Sequence, residues 1–211
     1  MFRKNKDIPK FLESLTQHYS DVTCALDHKT PLQLLVATIL SAQCTDQRVN
    51  IVTKELFKKY KTVQDFAKVS QATLEKEIRS TGFYRNKSKS IRGMAKILLE
   101  KHGGNVPRSM EALLTLPGVA RKTANVALGT AFGIAEGIVV DTHVSRLSER
   151  LGLSAQKSPE KIEKDLMAVV PKKDWIWFSH AMIHHGRKFC KARNPLCHEC
   201  PLRKECPNPV N

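Results

Sequence analysis

The stretch that decides the fold is Leu113-Leu114-Thr115-Leu116-Pro117-Gly118-Val119-Ala120-Arg121-Lys122-Thr123-Ala124-Asn125-Val126. It predicts a helix capped at Ser109 and ended by Pro117-Gly118, then a tight turn and a second helix from about Ala120. Backbone N–H groups at the start of that second helix point outward at the positive end of the helix dipole, where they suit a phosphate. Lys122 lies just inside this helix. Taken alone, the pattern is more typical of an ordinary helical hairpin with a surface lysine.

The rest of the chain also predicts helices, with no convincing strand, internal repeat or low-complexity linker. Residues 32–43 are apolar on all sides, which predicts a buried central helix, and Thr30-Pro31 provides its start. Residues 83–87 are predicted to form a loop that leads into a basic helix. Residues 133–137 break the helical pattern and are the best candidate for a domain boundary. We therefore expect an all-α protein.

The charge balance predicts a polyanionic partner. The chain has 211 residues, and its 35 Lys and Arg against 20 Asp and Glu give a net charge of +15. This excess favours nucleic acid or an anionic membrane surface. The longest apolar run, residues 34–40, is far shorter than the ~20 residues that a membrane span needs. Residues 1–7 are charged and unlike a signal peptide, so we expect a cytoplasmic protein with no membrane partner and no disulfides.

Four cysteines near the end of the chain have the spacing C-x6-C-x2-C-x5-C. The segment around them is rich in proline and charge, so it cannot build an apolar core and is predicted to be held by a metal centre. Structural zinc sites usually contain two short cysteine pairs, and this segment has one. The spacing leaves zinc open and favours an iron–sulfur cluster. The four residues are Cys190, Cys197, Cys200 and Cys206.

The remaining cysteines and a histidine group show no such spacing. Cys24 and Cys44 are predicted to be buried thiols. His180, His184 and His185 share a helical segment, where the first two are one turn apart, but no third ligand stands beside them. We predict packing roles for these histidines.

Four features of the chain belong together. They are the hairpin Leu116-Pro117-Gly118-Val119-Ala120-Arg121-Lys122-Thr123-Ala124-Asn125, the segment Val139-Val140-Asp141-Thr142-His143-Val144, the segment Leu40-Ser41-Ala42-Gln43-Cys44-Thr45-Asp46, and the four-cysteine tail. In combination they resemble the endonuclease III family of helix-hairpin-helix DNA glycosylases with AP-lyase activity. The resemblance covers essentially the whole chain, and this combination of motifs is specific.

The resemblance implies an all-α, two-domain helix-hairpin-helix glycosylase fold. A six-helix barrel over residues 24–135 would carry the hairpin. Residues 1–23 and 136–211 would form a second domain with a [4Fe-4S] cluster, and DNA would lie at the cleft between the two. The expected partner is double-stranded DNA with a damaged pyrimidine or an abasic site, and the expected state is a monomer near the nucleoid of a bacterium or archaeon.

The resemblance also implies roles for individual residues. Lys122 would be the nucleophile and Asp141 its catalytic partner, and the four cysteines would ligate the cluster. Gln43 would enter the space left by a flipped base, and Phe83 would wedge into the opposite strand. The implied DNA contacts are Gln43, Phe83, Gly118, Val119, Ala120, Arg121, Arg187, Lys191 and Arg193, and further candidate phosphate contacts are Arg85, Lys87, Lys89, Arg92 and Lys188.

One residue departs from the family pattern. The family's hairpin commonly has a second glycine where this chain has Ala120. A methyl group there narrows the approach to a phosphate and disfavours a positive φ. We expect this change to affect the geometry of the turn rather than the identity of the motif.

The implied chemistry suits these residue types. Attack on the sugar C1′ needs a neutral amine, and both the helix N-terminus and the adjacent Arg121 disfavour an ammonium ion at Lys122. Asp141 has two interpretations: a helix N-cap, which contributes about 1 kcal/mol, and a carboxylate that stabilises positive charge at C1′. The cluster is expected to order the basic loop between Cys190 and Cys197 for DNA binding.

Two alternative functions remain at this point. The first is a monofunctional glycosylase acting on mismatched adenine or thymine, although adenine-specific relatives generally lack the hairpin lysine. The second is a non-catalytic iron–sulfur DNA-binding protein or electron carrier.

Overall fold

A computed structural model describes residues 7–209 of the chain. Over that range it contains helices and no strand, so the all-α prediction is confirmed. No helix in the described range has both the length and the apolar character required to cross a membrane. The charged residues 1–6, used above against a signal peptide, lie outside this range. The helices are α1 (Ile8–Tyr19), α2 (Pro31–Leu40), α3 (Asp46–Lys59), α4 (Val63–Lys68), α5 (Gln71–Ile78), α6 (Tyr84–His102), α7 (Met110–Leu114), α8 (Arg121–Val126), α9 (Thr142–Arg150), α10 (Pro159–Val169) and α11 (Trp175–Lys188).

The chain divides into two compact units. One comprises Cys24–Glu136, and the other combines Met1–Thr23 with Gly137–Asn211. The first unit therefore contains α2 to α8, and the second contains α1 and α9 to α11.

The first unit is built around α2. Eight of the ten residues of this helix are buried, as its uniformly apolar sequence predicts. Thr30 caps it by accepting a hydrogen bond from the backbone N–H of Gln33 at 3.2 Å, and α3, α6 and α8 all contact it. The helix ends at Leu40, not at residue 43 as predicted, because Gln43 has φ 53° and a left-handed residue cannot continue a right-handed helix.

A second prediction is wrong at the start of α6. Residues 83–87 were expected to form a loop, but α6 begins at Tyr84. Phe83 occupies the N-cap position with φ 47° and ψ 27°. The irregular segment is therefore short, and the basic residues that follow it already belong to the helix. Gly103, at φ 57°, ends α6.

The second unit is held together by buried contacts among its helices. In it α9 packs against α10 and α11. The indole N–H of Trp177 on α11 donates to the carbonyl of Tyr19 at the end of α1 at 2.7 Å. Phe11 and Leu15 of α1 and Phe178 of α11 are fully buried. These contacts anchor α1 to a part of the chain that is distant in sequence.

Candidate functional site

The hairpin turn depends on a single glycine. Ser109 caps α7 by accepting from the N–H of Ala112, and Gly118 then turns the chain with φ 79°. A Cβ at position 118 would stand 2.7 Å from Cβ of Ser90 on α6, so only glycine fits. Ala120 has φ −90° and ψ 172°, an extended conformation open to any residue. The departure from the family pattern at Ala120 therefore requires no change in the backbone of the turn.

Lys122 is exposed in the first turn of α8. Its backbone is fixed because α8 packs against α2 in the interior of the unit. A flexible primary amine is therefore carried on a rigid helix, one residue inside the N-terminus of α8. The three residues that follow it on α8 are buried: Thr123, Ala124 and Asn125.

Val119 holds the turn onto the core. Its side chain is buried, and its N–H donates to the carbonyl of Leu116 at 3.1 Å. Of the four hairpin residues predicted to contact DNA, the structure therefore gives Val119 a packing role. Gly118 and Ala120 are exposed beside it, and Arg121 is partly exposed.

Gln43 and Phe83 are both exposed and both have left-handed backbone. Their φ values are 53° and 47°, and the apolar ring of Phe83 is 60% exposed. For residues other than glycine such a conformation costs of order 1–2 kcal/mol each, so the rest of the fold must impose it. An exposed phenylalanine held in a strained turn is more typical of a contact residue than of a packing residue.

The hairpin turn packs against α6 and α2, the two helices that adjoin these residues. Gln43 follows the C-terminus of α2, and Phe83 precedes the N-terminus of α6. The turn meets the first half of α6, since a Cβ at Gly93 would lie 3.2 Å from Pro117, and one at Gly118 would contact Ser90. The Gly118 position also approaches Ile39, near the end of α2. Three of the predicted contact segments are therefore neighbours.

One predicted phosphate contact is wrong. Lys87 is only 5% exposed, and its Nζ donates to the carbonyls of Leu40 and Thr81, each at 2.8 Å. Burial lowers the pKa of Lys87, against the opposing effect of nearby Cys44. Sequence alone could not reveal this burial, because lysines at this helical spacing usually face solvent.

The other basic residues of that group differ in exposure. Arg85 and Lys89 are exposed on α6, where a phosphate could reach them. Arg92 is partly buried, and its Nε donates to the carbonyl of Val69 at 2.8 Å.

Asp141 caps α9, as predicted. Its Oδ1 accepts hydrogen bonds from the N–H groups of His143 and Val144, both at 2.8 Å. Both capping bonds use the same oxygen, which leaves Oδ2 outside the cap. Burial lowers the pKa of His143, and the Asp141 carboxylate opposes that shift.

The four cysteines of the tail line one cavity, and all four are free thiols. Burial raises the pKa of Cys200 to about 11, and the other three thiols add to the shift. Such a group of thiols favours a metal centre, because metal coordination deprotonates the sulfurs and offsets their mutual repulsion.

The donor set fits an iron–sulfur cluster. A [4Fe-4S] cluster takes one cysteine thiolate per iron, and the four cysteines that line this cavity supply four such ligands.

Two arginines of α9 hold the start of the cysteine segment. Arg146 donates to the carbonyl of Cys190 from Nε at 3.2 Å and from an amino group at 2.9 Å. Arg150 donates to the Cys190 sulfur at 3.4 Å and to the carbonyls of Lys191 at 2.7 Å and Ala192 at 3.1 Å. These bonds fix the backbone of the basic loop, in which Lys191 and Arg193 are exposed. Arg187, on α11, is exposed as well.

His185 is a site residue that the sequence did not reveal. It is buried, its Nδ1 lies 2.8 Å from the hydroxyl of Tyr19, and its Nε2 lies 3.6 Å from the sulfur of Cys200. Burial lowers the pKa of His185 to about 4, so the ring is neutral at pH 7. With Tyr19 donating to Nδ1, the Nε2–H points toward the sulfur of Cys200.

Comparison with known proteins identifies the family. The chain matches the family described as HhH-GPD superfamily base excision DNA repair protein over residues 36–172, and the iron–sulfur binding domain of endonuclease III over residues 190–206. Endonuclease III of Synechocystis sp. is 53% identical over 208 residues, which covers 99% of this chain and 95% of that protein.

Two solved structures are similar along the whole chain. One is described as a non-covalent endonuclease III–DNA complex, with a TM-score of 0.93, 45% identity, and coverage of 98% of this chain and 96% of that one. The other, a trapped endonuclease III–DNA covalent intermediate, has the same TM-score and identity and covers 98% and 97%. The chain belongs to the endonuclease III family, within the HhH-GPD superfamily of base excision repair proteins.

Proposed function

We propose that this chain is a base excision repair enzyme that removes a damaged pyrimidine from DNA and cleaves the strand 3′ to the resulting abasic site. It is a bifunctional DNA N-glycosylase and AP lyase. The observation that carries the proposal is the exposed amine of Lys122, which follows the Gly118 turn. A relative of this chain has been trapped covalently on DNA.

Lys122 supplies the nucleophile. Its amine forms a bond to C1′ of the damaged nucleotide as the bond from C1′ to the base breaks and the base departs. The attached amine then loses a proton, and the C1′–O4′ bond breaks, which opens the sugar ring, protonates O4′ and leaves a protonated Schiff base. This group withdraws electrons from C2′, which loses a proton. The C3′–O bond then breaks and the 3′ phosphate leaves. One amine thus serves both the glycosylase and the lyase step.

Asp141 supports this chemistry by charge. The bond from C1′ to the base weakens as positive charge develops on the sugar, and a carboxylate stabilises that charge. We assign this role to Oδ2 of Asp141, because Oδ1 is occupied by the two N–H groups of α9. The cap therefore fixes the orientation of the carboxylate while one oxygen remains available.

Gln43 and Phe83 assist extrusion of the damaged nucleotide. A base inside the duplex must leave the stack before Lys122 reaches C1′, at a cost of a few kcal/mol. Gln43 fills the vacated space and Phe83 inserts into the opposite strand, which offsets part of that cost. Gly118, Ala120 and Arg121 approach the DNA backbone, while Val119 holds their turn to the core.

The chain binds a [4Fe-4S] cluster. We assign Cys190, Cys197, Cys200 and Cys206 as its ligands, since they line a single cavity. The cluster supplies a rigid centre that crosslinks a segment poor in apolar residues. Arg150 fixes the adjoining loop, from which Lys191 and Arg193 contact phosphate together with Arg187.

We assign the unit Cys24–Glu136 as the helical barrel and the other unit as the cluster domain. Because its substrate is a single lesion in chromosomal DNA, we propose that the enzyme works as a monomer in the cytoplasm, at the nucleoid.

A panel of duplexes, each with one defined lesion, tests the proposal. We expect release of oxidised or ring-fragmented pyrimidines, followed by strand cleavage at the same site, and no release of undamaged bases. Lys122→Ala should abolish both steps on every duplex. Release of mismatched adenine or thymine without strand cleavage would instead identify a monofunctional glycosylase, and inactivity of intact, cluster-loaded protein on all lesions would favour a non-catalytic DNA-binding protein.

A further inference from the structure

Lys87 joins two parts of the first unit that are distant in sequence. Its ammonium donates to the carbonyl of Leu40, 47 residues away, and to the carbonyl of Thr81, both at 2.8 Å. The side chain is 5% exposed, and no described residue forms a salt bridge with it. A buried lysine is costly unless its N–H groups are satisfied, so these two carbonyls stabilise its position.

Both acceptors lie at the end of a helical segment. Leu40 is the last residue of α2, and Thr81 is the last residue of the 3-10 turn Arg79–Thr81. Carbonyls at helix C-termini lack intrahelical partners and carry partial negative charge, which suits an ammonium ion. The ammonium group of Lys87 therefore caps the C-termini of two helical segments.

The exposed left-handed residues follow these two caps directly. Gln43 comes three residues after Leu40, and Phe83 comes two residues after Thr81. Each lies on a short irregular segment whose start is held by Lys87. The same ammonium group thus sets where both segments leave the core.

We propose that Lys87 is a positioning residue that couples Gln43 and Phe83, so that the two side chains enter DNA as one preformed unit. This inference rests on the proposed role of both residues in nucleotide extrusion. It replaces the sequence prediction that Lys87 contacts phosphate. Preorganisation of this kind lowers the entropy that must be lost on binding.

Extrusion can be measured without chemistry, by the fluorescence of a 2-aminopurine base placed beside the lesion. In Lys87→Met, which keeps the apolar stem and removes the ammonium, we expect extrusion and single-turnover base release to slow about tenfold. Lys96→Met, an exposed lysine on the same helix, removes the same charge and should change neither rate.

A double-mutant cycle separates positioning from general stability. In a Gln43→Ala/Phe83→Ala background, Lys87→Met should slow extrusion by no more than about twofold, because the residues it positions are absent. An equal effect of Lys87→Met in both backgrounds, or no effect in either, overturns the inference. If Lys87→Met loses helical circular dichroism, the same cycle is run with Lys87→Gln, whose shorter side chain cannot bridge both carbonyls but keeps a polar group at the buried position.

The same fluorescence assay, run on the wild-type enzyme, also tests the proposed function. Extrusion without base release would contradict the glycosylase assignment, while the fluorescence cycle would still decide the role of Lys87.

Discussion

Among the described non-glycine residues of the first unit, positive φ values occur at Gln43 and Phe83. Gly118, Gln43 and Phe83 all have left-handed backbone, and each lies in a segment that we assign to DNA contact. Only Gly118 follows from the sequence, because glycine is the residue that such a turn needs. The other two follow segments that Lys87 holds through hydrogen bonds to the carbonyls of Leu40 and Thr81.

The requirement for glycine at position 118 can be tested by comparing a substitution there with one at Ala120. Gly118→Ala should lower the free energy of unfolding of the first unit by about 1–3 kcal/mol, from a strained φ and from the clash with Ser90. Thermal denaturation measures this as a lower Tm. Ala120→Gly, at φ −90°, should change Tm little. If Gly118→Ala and Ala120→Gly both left Tm unchanged, the turn geometry would be contradicted.

The two roles of Asp141 separate in a single substitution. Asp141→Asn keeps an oxygen that can accept the N–H groups of His143 and Val144, so we expect a normal Tm. It removes the negative charge, so we expect base release to fall by at least about 100-fold in a single-turnover assay. Turnover at the wild-type rate would eliminate the catalytic role and leave only the cap.

At the scale of elements, α9 connects the carboxylate to the cysteine segment. Its N-terminus is capped by Asp141. Arg146 donates to the carbonyl of Cys190, and Arg150, one turn further on, donates to the Cys190 sulfur and to the next two carbonyls. A Cβ at Gly186 of α11 would lie 3.0 Å from His143, so α9 and α11 pack closely at this point. The helix therefore gives both groups a common rigid support within their unit.

Arg150→Met should loosen the loop after Cys190 without unfolding its unit. It removes three hydrogen bonds and keeps most of the apolar stem. We expect DNA affinity to fall about tenfold and the visible absorbance of the cluster to bleach faster under chelator. Lys164→Met on α10, an exposed lysine of the same unit, is the matched control and should match wild type in both measurements. Unchanged binding and bleaching in Arg150→Met would show that the loop is held by other contacts.

Helix positions were largely predictable, since Thr30, Ser109 and Asp141 cap the helices that their sequence positions predict. The two errors, at the end of α2 and the start of α6, both lie beside a residue with left-handed backbone. Each concerns a residue whose left-handed backbone is imposed by tertiary contacts, and local propensity does not encode those. The contact of His185 with Cys200 was hidden for the same reason, because it depends on how α11 packs against the tail.

At the scale of the whole molecule, the net charge of +15 predicted a polyanion, and the structures of its relatives bound to DNA agree with that prediction. Charge alone did not distinguish DNA from an anionic membrane. The motifs did, since the hairpin, the segment around Asp141 and the four-cysteine tail together resemble the endonuclease III family.

The same charge makes DNA affinity sensitive to salt. If about six basic side chains contact phosphate, a plot of log affinity against log salt should have a slope near −5. Titration of an abasic-site duplex between low and physiological salt measures it. Lys96→Met, outside the proposed contacts, should leave the slope unchanged. An affinity that is flat in salt would contradict phosphate contact by the basic residues.

The central claim is that the Lys122 amine forms a covalent bond to the sugar, and borohydride trapping tests it most directly. Reduction of the wild-type reaction on abasic-site DNA should yield a stable protein–DNA adduct. Lys122→Ala should bind the same duplex with similar affinity and yield no adduct, while Lys96→Ala should yield as much as wild type. An adduct of wild-type yield from Lys122→Ala, or none from intact wild-type protein, would contradict the claim.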